Sequence, residues 1–372
     1  MTTRHKPSKT LGLCMIVKNE ADIILDCLRS ISDYLDYWVI YDTGSTDGTQ
    51  DIIRNYFEEV GISGKLVESE WVNFGYNRTE ALVGAYKTAD YLILLDADFI
   101  VNVIDKDFKY ALSDKNTGYL IKYTGDLDYK VIKLVSGNVR WEYIGVTHEY
   151  IDTKESMDKV YFDSISIDHK LTGSSRSDKF SRDIAMLTKA LKDDPANVRN
   201  CFYLAQSYKD IGENEKAIQW YTKRVELGGW DEEVYYSLYS IGLCRESAGY
   251  DFDSVVVFDY LRAFNFRRSR LEALYHIVKY YRTTEQYTLA FSYAMMGWKT
   301  PYPDDILFVA KGIHKYKFLD ELSISAYWVG FHQLGYNLGK RILKDNFHSE
   351  EETLRLEKNL NFCKNGLMLS SC

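Results

Sequence analysis

The chain has 372 residues, 46% of them hydrophobic and 27% charged, and carries a net charge of −8. This composition is typical of a globular protein, and the length is sufficient for two domains with separate cores. The acidic balance provides no global basic field for nucleic acid, so we expect no nucleic-acid partner. No stretch of 18 consecutive apolar residues occurs, so we also expect no transmembrane segment.

The cysteines and the first residues bear on the compartment. Residues 1–10 are polar and basic and contain no apolar segment of the signal-peptide type. The cysteines are scattered, without a C-x-x-C pair or a His/Cys cluster at zinc spacing, so we predict free thiols in a reducing compartment. They are Cys14, Cys27, Cys201, Cys244, Cys363 and Cys372. A cytoplasmic protein is the expectation.

Short apolar runs alternate with amphipathic patterns through the first hundred residues. The predicted elements are a strand at 11–17, a helix at 21–34, a strand at 37–41, a helix at 50–60, a strand at 65–68, a helix at 78–87 and a strand from Tyr91. Asp47 or Thr46 is expected to cap the second helix, and Gly61 to end it. Such alternation predicts an α/β fold with a mostly parallel, Rossmann-like sheet and right-handed crossovers.

The run from Tyr91 to Val101, YLILLDADFIV, is the most informative stretch. Its apolar part predicts a strand buried on both faces. In an extended chain Asp96 and Asp98 point to the same side, about 6–7 Å apart. Paired carboxylates favour a cation between them, and oxygen ligands suit Mg²⁺ or Mn²⁺. The alternative is an aspartate that caps the next helix beside a solvated neighbour.

Three of the predicted strands end in polar or acidic groups. These groups are Lys18-Asn19-Glu20, Asp42, and the pair Asp96 and Asp98. Because the carboxyl ends of parallel strands lie along one edge of a sheet, these groups can line one cleft although they are distant in sequence. This convergence favours a nucleotide site with a metal at the phosphates over the capping alternative.

Four motifs carry a resemblance to a known family. They are V-K-N-E at 17–20, D-T-G-S-T-D-G-T at 42–49, N-F-G-Y-N-R at 73–78 and L-D-A-D at 95–98. Their order and spacing resemble those of the family 2 glycosyltransferases of GT-A fold, over roughly the first 150–170 residues. The resemblance implies an inverting, metal-dependent hexosyltransferase that uses a nucleotide-diphosphate sugar, a UDP-sugar by preference, with Mn²⁺ or Mg²⁺.

The resemblance also implies roles for individual residues. Val17, Asn19 and Glu20 would contact the base and ribose, and Asp42 would accept a hydrogen bond from a uracil-type base. Ser45 would order the turn, and Arg78 would meet the base or the diphosphate. Asp96 would bind the ribose and metal-bound water, and Asp98 the metal directly. The alternative for Glu20 is a carboxylate at a helix N-terminus, and that for Arg78 is a surface ion pair. The alternative for Asp47 is a helix cap.

Residues 118–168 are expected to form the acceptor side. Alternation at 118–124 and 130–135 predicts antiparallel strands. By resemblance, His148 would supply a further metal ligand and Glu149 the catalytic base, with Glu142 and Asp128 as competing candidates for the base. The E-D motif of many family 2 enzymes is absent, which leaves the base open. A lone histidine is also commonly a packed or hydrogen-bonded residue.

A basic segment, SSRSDKFSRD, follows Gly173 and contains Arg176, Lys179 and Arg182. A positively charged loop that closes over a diphosphate would stabilise the leaving group. The alternative is a solvated linker before a helix. The proposed donor contacts in this segment are Arg176 and Arg182.

From about Arg182 onward, paired amphipathic helices replace the strand pattern. Leu204, Leu238 and Leu274 begin similar phrases at spacings near 34, a period that resembles tetratricopeptide (TPR) repeats. We therefore expect a GT-A domain at 1–175 and an all-α, TPR-like repeat domain at 176–372.

The repeat domain would present the acceptor or form a homodimer. A peptide, a protein or a glycan is the expected acceptor, by analogy with repeat-bearing members of the family. Two other classes of protein remain as alternatives. One is a scaffold that binds a partner through its repeats without turnover, and the other is a nucleotidyltransferase, which would release pyrophosphate.

Overall fold

The computed structural model describes residues 8–124, 130–170 and 179–369. The chain divides into two compact units, residues 1–190 and 191–372. This division lies within a helix, later in the chain than the boundary at 175/176 expected from the sequence. The first unit is α/β and the second consists of helices, as the sequence predicted.

The elements of the first unit follow the predicted order in its first half. The strands are β1 (Leu11–Val17), β2 (Tyr37–Asp42), β3 (Gly64–Glu68), β4 (Tyr91–Leu94), β5 (Phe99–Val103), β6 (Thr117–Thr124), β7 (Lys130–Ser136), β8 (Glu142–Ile144), β9 (Tyr150–Asp152) and β10 (Asp158–His169). The helices are α1 (Ile24–Ile31), α2 (Thr49–Val60), α3 (Phe74–Ala85), α4 (Phe108–Ala111) and α5 (Lys179–Asp193).

Eight of these strands form one mixed sheet in the order β3-β2-β1-β4-β7-β6-β10-β5. The first four are parallel, which confirms the predicted βαβ series. β7 runs antiparallel between β4 and β6, as the alternation at 118–124 and 130–135 predicted for that pair. β5 closes the far edge antiparallel to β10, and β8 and β9 form a separate ribbon.

Helices cover both faces of the parallel part of the sheet. Leu11, Leu13 and Met15 of β1 point into a core shared with α1 and α2. Cys14 points the other way, into a second core with Ala81, Leu82 and Ala85 of α3. Burial on both faces explains why these strands are continuous apolar runs. It also means that the strand ends, rather than the faces, are available to a ligand.

The predicted strand from Tyr91 is confirmed, but the extended conformation expected for Asp96 and Asp98 is wrong. β4 ends at Leu94, and Asp96 and Asp98 lie in a turn before β5. The backbone N–H of Phe99 donates to the carbonyl of Asp96 at 3.0 Å and closes this turn. The two carboxylates are therefore positioned by a turn, and the alternation of an extended strand does not apply to them.

The second unit is a series of helix pairs. Its helices are α6 (Val198–Asp210), α7 (Asn214–Leu227), α8 (Asp231–Ser247), α9 (Val257–Phe266), α10 (Glu272–Thr283), α11 (Tyr287–Gly297), α12 (Phe318–Trp328), α13 (His332–Asp345) and α14 (Glu350–Leu369). Short π-helical turns at Phe252–Val256 and Ile313–Lys317 lead into α9 and α12. Leu204, Leu238 and Leu274 lie in α6, α8 and α10 and are buried, which confirms the predicted repeat.

Five cysteines lie within the described residues; all are buried and none is in a disulfide. No helix in the described part of the chain is long and apolar enough to cross a membrane.

Candidate active site

A cleft of about 810 Å³ opens at the carboxyl ends of β1, β2 and β4. This is the edge at which open α/β sheets bind ligands. The charged and titratable residues that line it come from six separate parts of the chain. They are Lys18, Glu20, Arg78, Asp96, Asp98, His148, Glu149, His169, Lys179, Arg182 and Asp183.

The loops after β1 and β2 are joined side by side by hydrogen bonds. Asn19 donates its backbone N–H to Ser45 Oγ at 2.8 Å, and its side-chain Oδ1 accepts from the backbone N–H of Thr46 at 2.8 Å. Glu20 donates its backbone N–H to Thr49 Oγ1 at 2.9 Å. Asn19 has φ +54, a left-handed conformation that asparagine tolerates better than most residues. The V-K-N-E and D-T-G-S-T-D-G-T motifs therefore form one wall.

The carboxylate of Asp42 stabilises the loop after β2 by hydrogen bonds to its backbone. Its Oδ1 accepts hydrogen bonds from the backbone N–H groups of Gly44 and Ser45 at 2.9 and 2.8 Å. Its Oδ2 is buried and has no hydrogen-bond partner among the described residues. A buried, unpaired carboxylate oxygen is costly unless a ligand supplies a donor. Val17, Asn19 and Glu20 line the cleft, whereas Ser45 acts through its contact with Asn19.

The predicted cap at Asp47 or Thr46 is wrong by one or two residues. Gly48 is the residue before α2, in a left-handed conformation at φ +91. Asp47 instead joins the two loops: its Oδ1 accepts from the N–H of Thr49 at 3.1 Å, and its Oδ2 from the N–H of Ala21 at 3.0 Å. Gly61 ends α2 at φ +71, as predicted.

Asp98 has a histidine partner that the sequence analysis did not select. His169, the last residue of β10, places Nε2 3.1 Å from Asp98 Oδ2. β10 runs beside β5, and the backbone N–H of Lys170 donates to the carbonyl of Asp98 at 3.0 Å, which fixes the two residues together. The ring of His169 packs edge-on against Phe99. Both Asp98 and His169 line the cleft.

Arg78 lies between two carboxylates in the wall of the cleft. Its Nη2 is 2.5 Å from Asp96 Oδ1, and its Nε is 2.8 Å from Glu149 Oε1. Lys133 of β7 lies 3.6 Å from the other oxygen of Asp96. Burial alone would raise the pKa of Asp96, but Arg78 and Lys133 outweigh it and lower that pKa to about 2. Asp96 therefore stays ionised, with both oxygens facing cations.

The loop that carries His148 and Glu149 is docked on α3. The backbone N–H of Phe74 donates to the carbonyl of Val146 at 3.1 Å, and that of Tyr143 donates to Thr79 Oγ1 at 2.9 Å. Gly75 packs so closely that an added Cβ would lie 2.0 Å from the carbonyl oxygen of Gly145. The glycine of N-F-G-Y-N-R is thus required by this contact and holds the loop over the cleft.

His148 has an acidic partner on α5. Its Nε2 is 3.7 Å from Asp183 Oδ2, and its backbone is left-handed at φ +50. Asp183 of α5 is buried, and its Oδ1 accepts a hydrogen bond from Thr147 Oγ1 at 3.0 Å. Burial raises the pKa of Asp183, with the bond from Thr147 opposing it.

The predicted basic segment is described only from Lys179. Lys179 and Arg182 both line the cleft, and the guanidinium of Arg182 lies 5.0 Å from the centre of the Phe74 ring. Arg176 and Asp128 lie outside the described residues. Of the other two candidates for the base, Glu149 lines the cleft and Glu142 lies in the β8–β9 ribbon.

The predicted metal set of Asp96, Asp98 and His148 is not assembled as one group. Across residues 8–124, 130–170 and 179–369, no three His, Cys, Asp or Glu side chains come together in a way that could hold a metal ion. Sequence analysis missed His169, Lys133 and Asp183. For His169 the available signal was the apolar, alternating run SISID directly before it, which indicates a strand ending at the same sheet edge.

Comparisons with known proteins agree with the geometry. Residues 13–105 match the family described as glycosyl transferase family 2, a range that includes all four motifs. The SPbeta prophage-derived glycosyltransferase SunS of Bacillus subtilis (strain 168) is 25% identical over 236 residues, which are 59% of this chain and 53% of that protein. A TPR repeat-containing protein of Synechococcus elongatus is 38% identical over 89 residues, 24% of this chain and 20% of that protein.

The chain spans about half the length of SunS. Among solved structures, S. aureus TarS aligns at 13% identity with a TM-score of 0.39, over 67% of this chain and 55% of that chain. MamA aligns at 20% identity with a TM-score of 0.35, over 49% of this chain and 95% of that chain. The family match confirms the resemblance seen in the motifs: residues 13–105 belong to a glycosyltransferase domain of family 2, and TPR-like helical repeats follow it.

Proposed function

We propose that the first unit transfers a sugar from a nucleotide-diphosphate donor, a UDP-sugar by preference, to a peptide, protein or glycan acceptor. The observation that carries the proposal is the convergence of the two joined loops, Arg78 and the Asp98–His169 pair on one cleft. A cleft of about 810 Å³ lies within the range of ligand pockets and is large enough for a nucleotide sugar.

The base and ribose would bind at the wall formed by the loops after β1 and β2. Asp42 Oδ2, buried and without a hydrogen-bond partner in the described part of the chain, is an acceptor suited to an N–H of the base. Asn19 and Glu20 line the cleft, and Asp42 lies buried next to the lining residue Thr43 in the chain. Lys179 and Arg182 supply positive charge where a diphosphate leaving group would depart.

A divalent cation fits Asp98 and His169 better than the set expected from the sequence. Arg78 and Lys133 already neutralise Asp96, whereas Asp98 and His169 offer one carboxylate and one imidazole at the cleft surface. Two protein ligands leave positions for phosphate oxygens and water, the usual arrangement for Mg²⁺ and related ions at nucleotides. The chemistry that the cation supplies when bound is neutralisation of the departing diphosphate. His148 as a ligand remains a prediction.

Glu149 is the described candidate for the base that removes the acceptor proton. One of its oxygens is held by Arg78 at 2.8 Å, which fixes the carboxylate at the cleft. A fixed carboxylate is suited to orient a nucleophile. Inversion at the anomeric carbon would follow from a single displacement with Glu149 on the acceptor side.

The proposal is tested by calorimetric titration of the protein with UDP and UDP-sugars, first with Mn²⁺ and then with EDTA. We expect binding that requires the metal and that Asp98→Asn weakens by on the order of 10²-fold, because the carboxylate ligand is lost. Asp107→Asn, at the start of α4, is a matched control that removes a carboxylate outside the cleft. Absence of binding by any nucleotide would overturn the proposal and favour a scaffold.

A second test concerns the base. Glu149→Gln is expected to retain UDP affinity within about threefold and to lose transfer by on the order of 10²–10⁴-fold, the usual contribution of general base catalysis. Product analysis accompanies the assay, because release of pyrophosphate in place of UDP would indicate a nucleotidyltransferase. Unchanged turnover in Glu149→Gln would eliminate Glu149 as the base.

A further inference from the structure

A segment between α11 and α12 crosses the second unit and packs against three earlier helices. We call residues 299–310 the strap. The strap has no helix or strand structure, and its contacts reach α6, α8 and α10. Within the described residues, α6, α8, α10 and α12 adjoin one another in succession. First helices that adjoin in this way form the inner side of a curved repeat array, the side on which such arrays present an extended surface.

Side chains of the repeats hold the backbone of the strap at both donors and acceptors. Glu232 of α8 accepts from the backbone N–H groups of Ile306 and Leu307 at 2.8 and 2.7 Å. Arg270 donates to the carbonyls of Leu307 and Phe308 at 3.0 and 3.1 Å. Backbone contacts of this kind recognise an extended chain with little regard to its side chains.

Three side chains of the strap add selectivity. Asp305 pairs with Arg267, with both oxygens at 2.6 Å, and with Arg270 at 3.2 Å. Leu307 packs into the apolar cluster of α6, α7 and α8. Phe308 lies 4.9 Å, between ring centres, from Tyr236. The side chain of Ile306, between Asp305 and Leu307, is 82% exposed and therefore adds little to recognition. The recognised pattern is therefore Asp-x-Leu-Phe in an extended chain.

Two features indicate that the strap is a replaceable ligand. Phe308 has φ +47, a conformation that a bulky side chain adopts only under strain. The charges that hold the strap also neutralise each other, since Arg270 Nη2 lies 2.8 Å from Glu272 Oε1. Removal of the strap would therefore leave no isolated buried arginine.

We propose that the inner side of the repeats at α6, α8 and α10 is a binding site for an extended peptide of the Asp-x-Leu-Phe type, and that the strap occupies it as an internal competitor. A peptide segment of a partner protein with this pattern would bind by displacing the strap. Partner binding through the repeats is thereby coupled to release of residues 304–310.

The test uses the full chain with residues 304–309 replaced by a glycine-serine linker of equal length. A fluorescent peptide with the sequence of residues 299–311 is titrated against it and monitored by anisotropy. We expect saturable binding to the linker variant and binding at least tenfold weaker to the intact protein, in which the strap competes. A control peptide, with lysine for Asp305 and aspartate for Leu307, should also bind at least tenfold more weakly.

No saturable binding to a linker variant that retains the helical circular dichroism and cooperative unfolding of the parent would overturn the proposal. Equal binding to the intact protein would also overturn it, because the peptide would then use another surface. If the linker variant does not fold, hydrogen exchange on the intact protein decides. Amides of Ile306, Leu307 and Ala310 should exchange faster than those in the middle of α8 and α10, and exchange only by global unfolding would exclude a displaceable strap.

Discussion

Two arginines in this chain, Arg78 and Arg270, are held in the same way and lie in different surroundings. Arg78 pairs with Asp96 and Glu149, and Arg270 with Glu272 and Asp305. The two groups differ in the exposure of their carboxylates to solvent. The side chains of Asp96 and Glu149 are 26% and 12% exposed at the wall of the cleft, whereas those of Glu272 and Asp305 are 1% and 3% exposed.

This difference separates a site that is open to a ligand from one that the strap closes. The remaining donors of Arg270 are occupied by backbone carbonyls of the strap, so the group is closed to any ligand while the strap is in place. The group around Arg78 borders open volume shared with Asp98 and His169. Ion pairs of the same kind thus stabilise the second unit around Arg270 and form a charged wall of the cleft around Arg78 in the first unit.

The largest expected effect comes from removing the two arginines in turn. Arg270→Met leaves the buried Glu272 without its arginine and leaves Asp305 paired with Arg267 alone, and we expect a loss of about 3–5 kcal/mol of unfolding free energy. Arg78→Met should lose less, because water reaches its carboxylates and Lys133 still faces Asp96. Denaturant unfolding measures both, and titration with UDP and Mn²⁺ should show reduced affinity for Arg78→Met alone. Equal losses of stability would show that solvent exposure does not distinguish the two arginine groups.

The second effect is the acid dependence of stability. Burial raises the pKa of Glu272, but the contacts with His314 and Arg270 outweigh burial and lower this pKa from 4.5 to about 2. The pKa of Asp96 is likewise lowered from 3.8 to about 2. The folded state therefore binds fewer protons than the unfolded chain between about pH 4.5 and 2. The stability that each group contributes is present above its unfolded pKa and is lost as the pH falls through the folded value.

We expect about 2–3 kcal/mol from each group over that range. The measurement is the unfolding free energy from pH 6 to pH 2 for the parent, Glu272→Gln and Asp96→Asn. Each variant should show a shallower slope than the parent below pH 4.5, with the larger change in Glu272→Gln. A slope unchanged by both substitutions would show that neither carboxyl is perturbed.

The smallest effect concerns the contact between α3 and the loop of Glu149. Gly75→Ala places a Cβ 2.0 Å from the carbonyl oxygen of Gly145, so the loop must move. We expect a loss of about 1–3 kcal/mol of stability and a larger proportional loss of transfer, because Glu149 moves with the loop. Val83→Ala, an exposed position on the same helix, is the control. Full transfer activity in Gly75→Ala would show that the loop position does not matter.

Much of the first unit could be predicted from the sequence. The apolar runs at 11–17 and 37–41 and the helix over 50–60 lie close to β1, β2 and α2, because residues buried on both faces of a sheet leave a continuous apolar signal. The placement of Asn19, Glu20, Arg78, Asp96 and Asp98 at one edge follows from the topology of parallel strands. The period near 34 also predicted the helix pairs of the second unit.

The sequence by itself determined the order of the elements, the edge of the sheet at which polar residues converge and the repeating helices, since each depends on local periodicity. Only the tertiary structure decided which side chains contact one another. His169 reaches Asp98 because β10 returns beside β5, and Arg78 joins Asp96 to Glu149 because α3 carries the loop that follows β8. The strap likewise meets Glu232, 74 residues earlier in the chain. Contacts between residues so far apart leave no periodic trace, because they depend on how the elements pack.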